Sequence, residues 1–126
     1  MARYNLDEFK SLVNSSKLRF LNTRRTTSSL DKLEWSNEDL ARMLCGMHSN
    51  DFQKTVPKCR INDCPGHEYE YVDADQYEIH WNEDTRTRSN HPNYPAVSLS
   101  LKIAIIITPD GQSAGLVTFH LSGSQY

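Results

Sequence analysis

The chain has 126 residues and a formal net charge of −2, with 37% hydrophobic and 24% charged residues. This length suits a single domain. The apolar run over residues 103–107 is far shorter than the roughly 18 residues of a membrane-spanning helix. The N-terminus carries no apolar signal-peptide core, and three cysteines are an odd number, which argues against a disulfide-bonded secreted protein. We therefore expect one cytoplasmic domain over residues 1–126, with no membrane partner.

Charge is unevenly distributed along the chain. Residues 1–60 hold eleven lysines and arginines against seven acidic residues, whereas residues 61–126 hold three against nine. A basic half can attract phosphate groups, and an acidic half can meet a basic partner. A solvated surface accounts equally well for both halves.

The first half of the chain is predicted to be mainly helical. Residues 6–14 have apolar side chains at helical spacing behind a potential cap at Asn5. Residues 18–21 form a short apolar segment that could be a strand, and residues 22–29 are predicted to be a polar loop. A second helix is predicted from Ser36, with a capping box to Asp39 and a buried stripe of Leu40, Met43, Leu44 and Met47. Residues 50–56 are predicted to add one helical turn that ends before Pro57.

The second half is predicted to form antiparallel strands. Residues 58–75 are expected to be irregular, residues 76–81 to form a strand, and residues 82–95 to form a polar loop. Residues 96–121 predict a β-hairpin around Pro109, Asp110 and Gly111, because apolar and polar residues alternate on both sides of this turn. Val117, Phe119 and Leu121 are assigned to its apolar face. Helices followed by strands predict an α+β fold.

The polar face of the predicted sheet carries the first candidate site. If its three strands are neighbours, this face gathers Glu78, His80, Ser100, Lys102 and His120. Histidine can give or take a proton near neutral pH, and lysine can offset charge on a phosphate. Such a set could cut RNA without a metal ion, although a half-buried sheet also carries such residues without any chemical role.

Cysteine and histidine residues give a competing hypothesis, a structural zinc site. The candidate ligands are Cys45, His48, Cys64 and His67, because zinc takes four nitrogen or sulfur ligands, often as two close pairs. Neither pair is the usual Cys-x-x-Cys, since a histidine takes the second position, and Cys45 also suits a buried core thiol. Arginine pairs elsewhere could bind phosphate, namely Arg24 with Arg25 and Arg86 with Arg88.

Several segments, in the same order along the chain, resemble one family. Residues 43–55 read Met-Leu-Cys-Gly-Met-His-Ser-Asn-Asp-Phe-Gln-Lys-Thr. They resemble a segment of the MqsR family of bacterial toxin endoribonucleases, where a helix ending in Gly-Leu-Ser runs into Asp-Phe-x-Lys-Ser. Residues 9–14 and 23–26 are similar to that family's opening helix and Thr/Arg segment. Residues 99–103 and 117–120 resemble its Val-Tyr-Leu-Lys-Ile and Val-Ser-Phe-Lys strands.

The resemblance implies a RelE-like α+β fold, with N-terminal helices packed on a small antiparallel sheet. It also implies an endoribonuclease that cleaves mRNA without metal or cofactor, and a cognate antitoxin that neutralises it. By position, Lys54 takes the place of a catalytic lysine, His120 that of the terminal lysine and Ser100 that of a tyrosine. Gln76 is the candidate for the family's glutamine.

The expected catalytic set is therefore Lys54, His80, Ser100, Lys102 and His120. The expected RNA-binding set is Arg24, Arg25, Lys58, Arg86 and Arg88. Serine and histidine at positions 100 and 120 depart from the family's tyrosine and lysine, and the chain is slightly acidic overall. The alternatives are a non-catalytic interaction module derived from such a toxin, and a small zinc-binding domain.

Overall fold

A computed structural model describes residues 2–62, 71–89 and 96–121. Within these residues the chain has an α+β architecture, with three α-helices and a six-stranded mixed sheet. The elements are α1 (Leu6–Asn14), β1 (Leu18–Phe20), α2 (Thr23–Leu33), α3 (Asn37–Cys45), a 3₁₀ turn (Ser49–Asp51), β2 (Phe52–Arg60), β3 (Tyr71–Asn82), β4 (Thr87–Arg88), β5 (Ala96–Thr108) and β6 (Gly111–Leu121). No helix in the described ranges has both the length and the apolar character needed to span a bilayer.

The sheet has the strand order β1-β6-β5-β3-β2, and β4 pairs with β3 outside this path. Strands β2 to β6 pair in antiparallel fashion, and this includes the predicted pairing of β3, β5 and β6. Strand β1 pairs parallel to β6, so the expectation of a purely antiparallel sheet is wrong at this edge. Because β1 lies between α1 and α2, helices and strands are also less segregated along the chain than expected.

Helix α1 has the predicted bounds and cap, and α3 has the predicted start and cap but ends at Cys45, before Met47 of the predicted stripe. The Asn5 side chain accepts a hydrogen bond from the Glu8 backbone N–H at 2.9 Å. Ser36 and Asp39 form the predicted capping box, in which each side chain accepts from the other residue's backbone N–H. The predicted stripe is fully buried in the main core, together with Phe9, Tyr77, Ile79, Leu99, Leu101, Ile103 and Phe119.

Helix α2 replaces the loop predicted over residues 22–29. Its inward positions are occupied by Thr26, Ser29 and Leu30, which are buried at helical spacing. Hydroxyl residues are weak helix formers and count as polar in a periodicity analysis. The Ser29 hydroxyl donates to the Arg25 carbonyl at 3.2 Å, so one buried polar group is satisfied inside the helix. Packing against β6 therefore sets this helix, rather than local sequence preference.

Strand β2 replaces the helical turn predicted over residues 50–56. Residues 49–51 form a 3₁₀ turn, and the chain is extended from Phe52 onward. The pairing of β2 with β3 shifts register between Val56 and Cys59, which leaves Pro57 and Lys58 in a bulge. A bulge tolerates proline because no ladder hydrogen bond is needed there. Residues 58–60 and 71–75 are strand rather than irregular, and Thr87–Arg88 is a short strand within the predicted loop.

The hairpin of β5 and β6 is the predicted one, but a bulge changes its faces. Lys102 lies opposite Thr118, whereas Ile103 lies opposite Leu116, so Val117 is left over between them. One extra residue reverses the facing of every residue beyond it in the strand. Leu116 therefore joins the main core and Val117 the opposite face, contrary to the predicted assignment. Ile107, near the turn, is 74% exposed.

A second, smaller core lies on the face away from α1 and α3. Its buried members are Leu21, Ile61, Ala74, Ala104, Ile106 and Val117. The last part of β2 and residues 61–62 cross this face toward the edge formed by β1. There the Asn62 backbone N–H donates to the Leu21 carbonyl at 3.0 Å, and the Asn22 side-chain amide donates to the Arg60 carbonyl at 3.1 Å. This crossing segment forms a wall beside the polar part of the same face.

Candidate functional site

Beyond the second core, polar side chains form rows across the sheet. In one row Lys54 lies opposite Gln76, Gln76 opposite Lys102, and Lys102 opposite Thr118. Neighbouring strands are about 4.8 Å apart and paired residues point to the same face. Two lysines, a glutamine and a threonine therefore line up across four strands.

A second row runs parallel to the first. Glu78 lies opposite Ser100, and Ser100 opposite His120. Next to it, His80 and Ser98 are opposite each other, with the His80 Nδ1 atom 2.9 Å from the Ser98 Oγ atom. The structure thus brings together the polar-face residues that the sequence predicts, because β3, β5 and β6 are adjacent strands.

Helix α2 borders this polar face along β6. Asn22, just before the helix, donates from its side-chain amide to the Val117 carbonyl at 2.9 Å, which fixes the helix start against the strand. A cavity of about 430 Å³ lies between helix and sheet, and Arg24, Arg25, Lys102 and His120 are among its lining residues. Two of the arginines predicted to bind RNA, Arg24 and Arg25, are thereby placed beside the predicted catalytic residues Lys102 and His120.

A second cavity, of about 320 Å³, shares Arg25, Lys102 and Thr118 with the first. Lys58 and Arg60 line it from the wall that β2 and the crossing segment form. We call the two cavities together the basic groove. Among the described residues that line it there are five permanent cations and His120, and no aspartate or glutamate. A larger hollow of about 930 Å³ on the outer side of α2 includes Asp31 and so has mixed charge.

Three side chains on the floor of the basic groove have distinct environments. Burial raises the pKa of the Cys59 thiol, the positive charge of Lys102 opposes this rise, and the Asp73 carboxylate adds to it. The Thr118 hydroxyl is buried and has no hydrogen-bond partner within the described residues. The His120 Nδ1 atom lies 3.0 Å from the Leu121 carbonyl oxygen. If Nδ1 carries the proton in this contact, Nε2 of the neutral ring is the proton acceptor.

Comparisons with known proteins identify no relative. No family model matches the chain, and neither a curated protein nor a solved structure does.

The basic groove can attract and hold a polyanion, since five fixed cations face a concave surface without a described carboxylate. It also holds a histidine that can move a proton. Lys54 and His80 lie on the same face but are not among the described lining residues. Phosphate binding and proton transfer are thus available on one surface.

Arg86 and Arg88 lie away from the basic groove, on the helical side of the sheet. Arg88 makes a bidentate ion pair with Asp51, in which Nη1 contacts Oδ2 and Nη2 lies 2.9 Å from Oδ1. Arg88 also donates to the Gly46 carbonyl. Arg86 pairs with Asp39. The structure therefore gives both arginines carboxylate partners and does not bring them together with the other predicted RNA-binding residues.

The candidate zinc ligands are only partly within the described residues. Cys64 and His67 lie outside them. The Cys45 thiol donates to the Asn14 side-chain oxygen at 3.2 Å, and burial raises its pKa, which favours the thiol over the thiolate that zinc requires. Residues 2–62, 71–89 and 96–121 contain no group of three or more potential metal ligands.

Arg60 lines the groove although the sequence patterns do not single it out. It falls in a segment predicted to be irregular, whereas in the structure it ends β2 two residues after Lys58. The bulge at Lys58 interrupts strand alternation, and all five residues from Val56 to Arg60 line the second cavity, so alternation alone would not group the two cations. Pro57 hides the strand itself, because proline is typical of a break rather than of a bulged strand.

Proposed function

We propose that this protein is the toxin of a bacterial toxin–antitoxin pair, a metal-independent endoribonuclease that cleaves mRNA. The observation that carries the proposal is the basic groove, where Arg24, Arg25 and Lys102 surround His120 with no described carboxylate among them. The colinear resemblance to the MqsR family points to the same activity. We extend the proposal to a RelE-like fold, with which three helices and a six-stranded sheet are compatible.

The proposed reaction needs a base, an acid and fixed positive charge. A base removes the proton of an RNA 2′-hydroxyl, and the oxygen attacks the adjacent phosphorus. The bond from phosphorus to the 5′-oxygen breaks as that oxygen takes up a proton from an acid. The products carry a 2′,3′-cyclic phosphate and a 5′-hydroxyl. Each proton transfer contributes typically 10²- to 10⁴-fold to the rate.

In this scheme His120 acts as the base through Nε2, because Nδ1 lies against the Leu121 carbonyl. Lys102 is on the groove floor and stabilises charge on the phosphorane, with Lys54 in the same row across the sheet. His80, the second histidine of the polar face, is the candidate acid. Ser100 lies between the two as a small, nearly buried spacer.

The proposed partner is a cognate antitoxin protein. To neutralise the toxin, the antitoxin would have to cover the basic groove or block the access of RNA to it, since the proposed chemistry takes place there. An antitoxin segment with carboxylates would complement the five cations of the groove.

Induction of the chain in bacteria tests the proposal. We expect growth arrest and new RNA 5′ ends with wild type, both lost with His120→Ala and Lys54→Ala. Lys17→Ala is the matched control, because Lys17 is exposed in the turn between α1 and β1, outside the groove. Purified protein in the presence of a chelator should leave 5′-hydroxyl and cyclic phosphate ends. Normal growth and intact RNA with soluble, folded protein would contradict the nuclease and favour the interaction module.

A further inference from the structure

The second cavity of the basic groove is lined by cations and lies beside the cavity that holds His120, the residue proposed to transfer a proton. Arg25, Lys58, Arg60 and Lys102 line it, whereas His120 lines the first cavity. These four cations line an open cavity of about 320 Å³, and the Asp73 carboxylate beside Lys58 and Cys59 offsets only part of their positive charge, so a bound anion would offset more of it. We infer that this cavity is a subsite for an RNA phosphate next to the one that is cleaved. The inference rests on the proposed function and makes single-stranded RNA of several nucleotides the substrate.

The wall of the subsite is held firmly in place. The Arg60 carbonyl accepts the Asn22 side-chain amide at 3.1 Å, and two residues later the Asn62 N–H donates to the Leu21 carbonyl. The Lys58 N–H donates to the Asp73 side chain at 3.2 Å. These contacts use backbone groups of the wall, and the exposed Lys58 and Arg60 side chains are left to line the cavity. A subsite on a fixed wall binds with less loss of conformational freedom.

The backbone at Lys58 supports a role for its side chain. Its φ angle is +54°, in the left-handed region that glycine adopts without strain. A lysine in such a conformation costs stability, and such strain is typical of functional positions. Lys58 lies on the wall of the subsite, where its side chain supplies a positive charge that glycine lacks.

None of the described residues that line the second cavity is aromatic, so stacking on a base would fall to the Arg25 or Arg60 guanidinium group. In the first cavity Phe119 is 1% exposed and stacks on Trp35, so its ring faces the protein. Contacts to phosphate carry no sequence information, whereas stacking and base-edge contacts do. Binding in the subsite is therefore tolerant of sequence and strongly dependent on salt.

Salt-dependent binding of a short 2′-O-methyl RNA, which lacks the nucleophilic hydroxyl, tests the inference. For single strands the slope of log K against log salt is about −0.7 for each neutralised phosphate. Lys58→Ala with Arg60→Ala should weaken binding about tenfold at low salt and reduce the magnitude of the slope by roughly 0.7 to 1.4. Arg42→Ala, an exposed arginine on α3, is the matched control and should change neither quantity.

Cleavage kinetics and thiol footprinting give independent readouts. The double variant should raise KM for a long RNA, and its loss of kcat/KM should be smaller for a dinucleotide, which is too short to reach the subsite. Cys59 lines the second cavity, so RNA should slow its alkylation by N-ethylmaleimide, whereas Cys45, which packs against the main core on the other face, serves as an internal control. Peptide mass spectrometry separates the two sites.

The outcomes separate the subsite from the proposed function. If wild type neither binds nor cleaves RNA, the proposed function fails and the subsite with it. If wild type cleaves RNA, but the double variant keeps the wild-type affinity, salt slope and KM, the subsite is overturned and the nuclease stands. Unchanged alkylation of Cys59 in saturating RNA would equally overturn the subsite.

Discussion

Ser100 and His120 lie directly opposite each other on β5 and β6, with both side chains on the open polar face. The resemblance places a tyrosine and a lysine at these two positions in the MqsR family. The chain thus carries a small hydroxyl and a titratable ring where the family has a larger phenol and a fixed cation. A fixed cation at position 120 could only supply charge, whereas a histidine there can also move a proton.

His120→Lys distinguishes these two roles. Lysine keeps a positive charge over the groove, and so RNA affinity should be retained. It is a poor proton acceptor near neutral pH, so cleavage should fall by roughly 10²-fold or more if His120 acts as the base. Single-turnover cleavage and binding of the 2′-O-methyl RNA measure the two quantities separately. A variant that cleaves at the wild-type rate would show that position 120 needs only a cation.

Lys58→Gly should separate stability from binding. Relief of the left-handed strain stabilises the folded state, and the greater freedom of glycine in the unfolded chain offsets part of this gain. We expect the free energy of unfolding to stay the same or rise by up to about 1 kcal/mol. RNA affinity should fall, because the cation is lost. Lys58→Ala, which keeps the strain, should lose affinity without gaining stability. Denaturant titration measures the stability and RNA binding measures the affinity. Normal RNA binding by Lys58→Gly would show that the lysine has only a structural role.

Arg88→Ala should impair stability rather than RNA binding. The side chain of Asp51 is 10% exposed, and removal of Arg88 leaves its carboxylate without the charged partner. The expected loss is about 2 kcal/mol of unfolding free energy, because charge-assisted hydrogen bonds to a largely buried group are removed. Arg86→Ala breaks a pair in which the arginine is 52% exposed, so it should cost less than about 1 kcal/mol. Loss of RNA affinity in folded Arg88→Ala protein would restore the role predicted from the sequence.

Much of the fold can be predicted from the sequence where a pattern is local and strong. The hairpin over residues 96–121 is recognisable because alternation extends over both strands and a Pro-Asp-Gly turn joins them. Ser36 and Asp39 identify the start of α3 because both halves of the capping box lie within four residues. The polar-face residues follow from the alternation in this hairpin and in β3.

The features that complete the groove depend on distant contacts. Helix α2 is set by packing against β6, since Thr26 and Ser29 do not look like core residues. The bulge at Val117 depends on how β5 pairs with β6, and it moves Leu116 to the other face. Arg60 reaches the groove because the last part of β2 and residues 61–62 cross to Leu21 and Asn22. No periodicity in one segment encodes such a crossing.

Alkaline pH should destabilise the protein through Cys59. Burial raises the pKa of this thiol in the folded state, so the folded protein holds the proton more tightly than the unfolded chain. Stability is therefore fully present below the unfolded value of about 8.5 and is lost as the pH rises through the folded value. Denaturant unfolding at a series of pH values should show this decline, with a slope of at most about 1.4 kcal/mol per pH unit from one group. Cys59→Ala should flatten the decline, even if the variant is less stable at all pH values. An equally steep decline in Cys59→Ala would assign the effect to the other groups whose pKa burial raises, Cys45, Tyr4 and Tyr77.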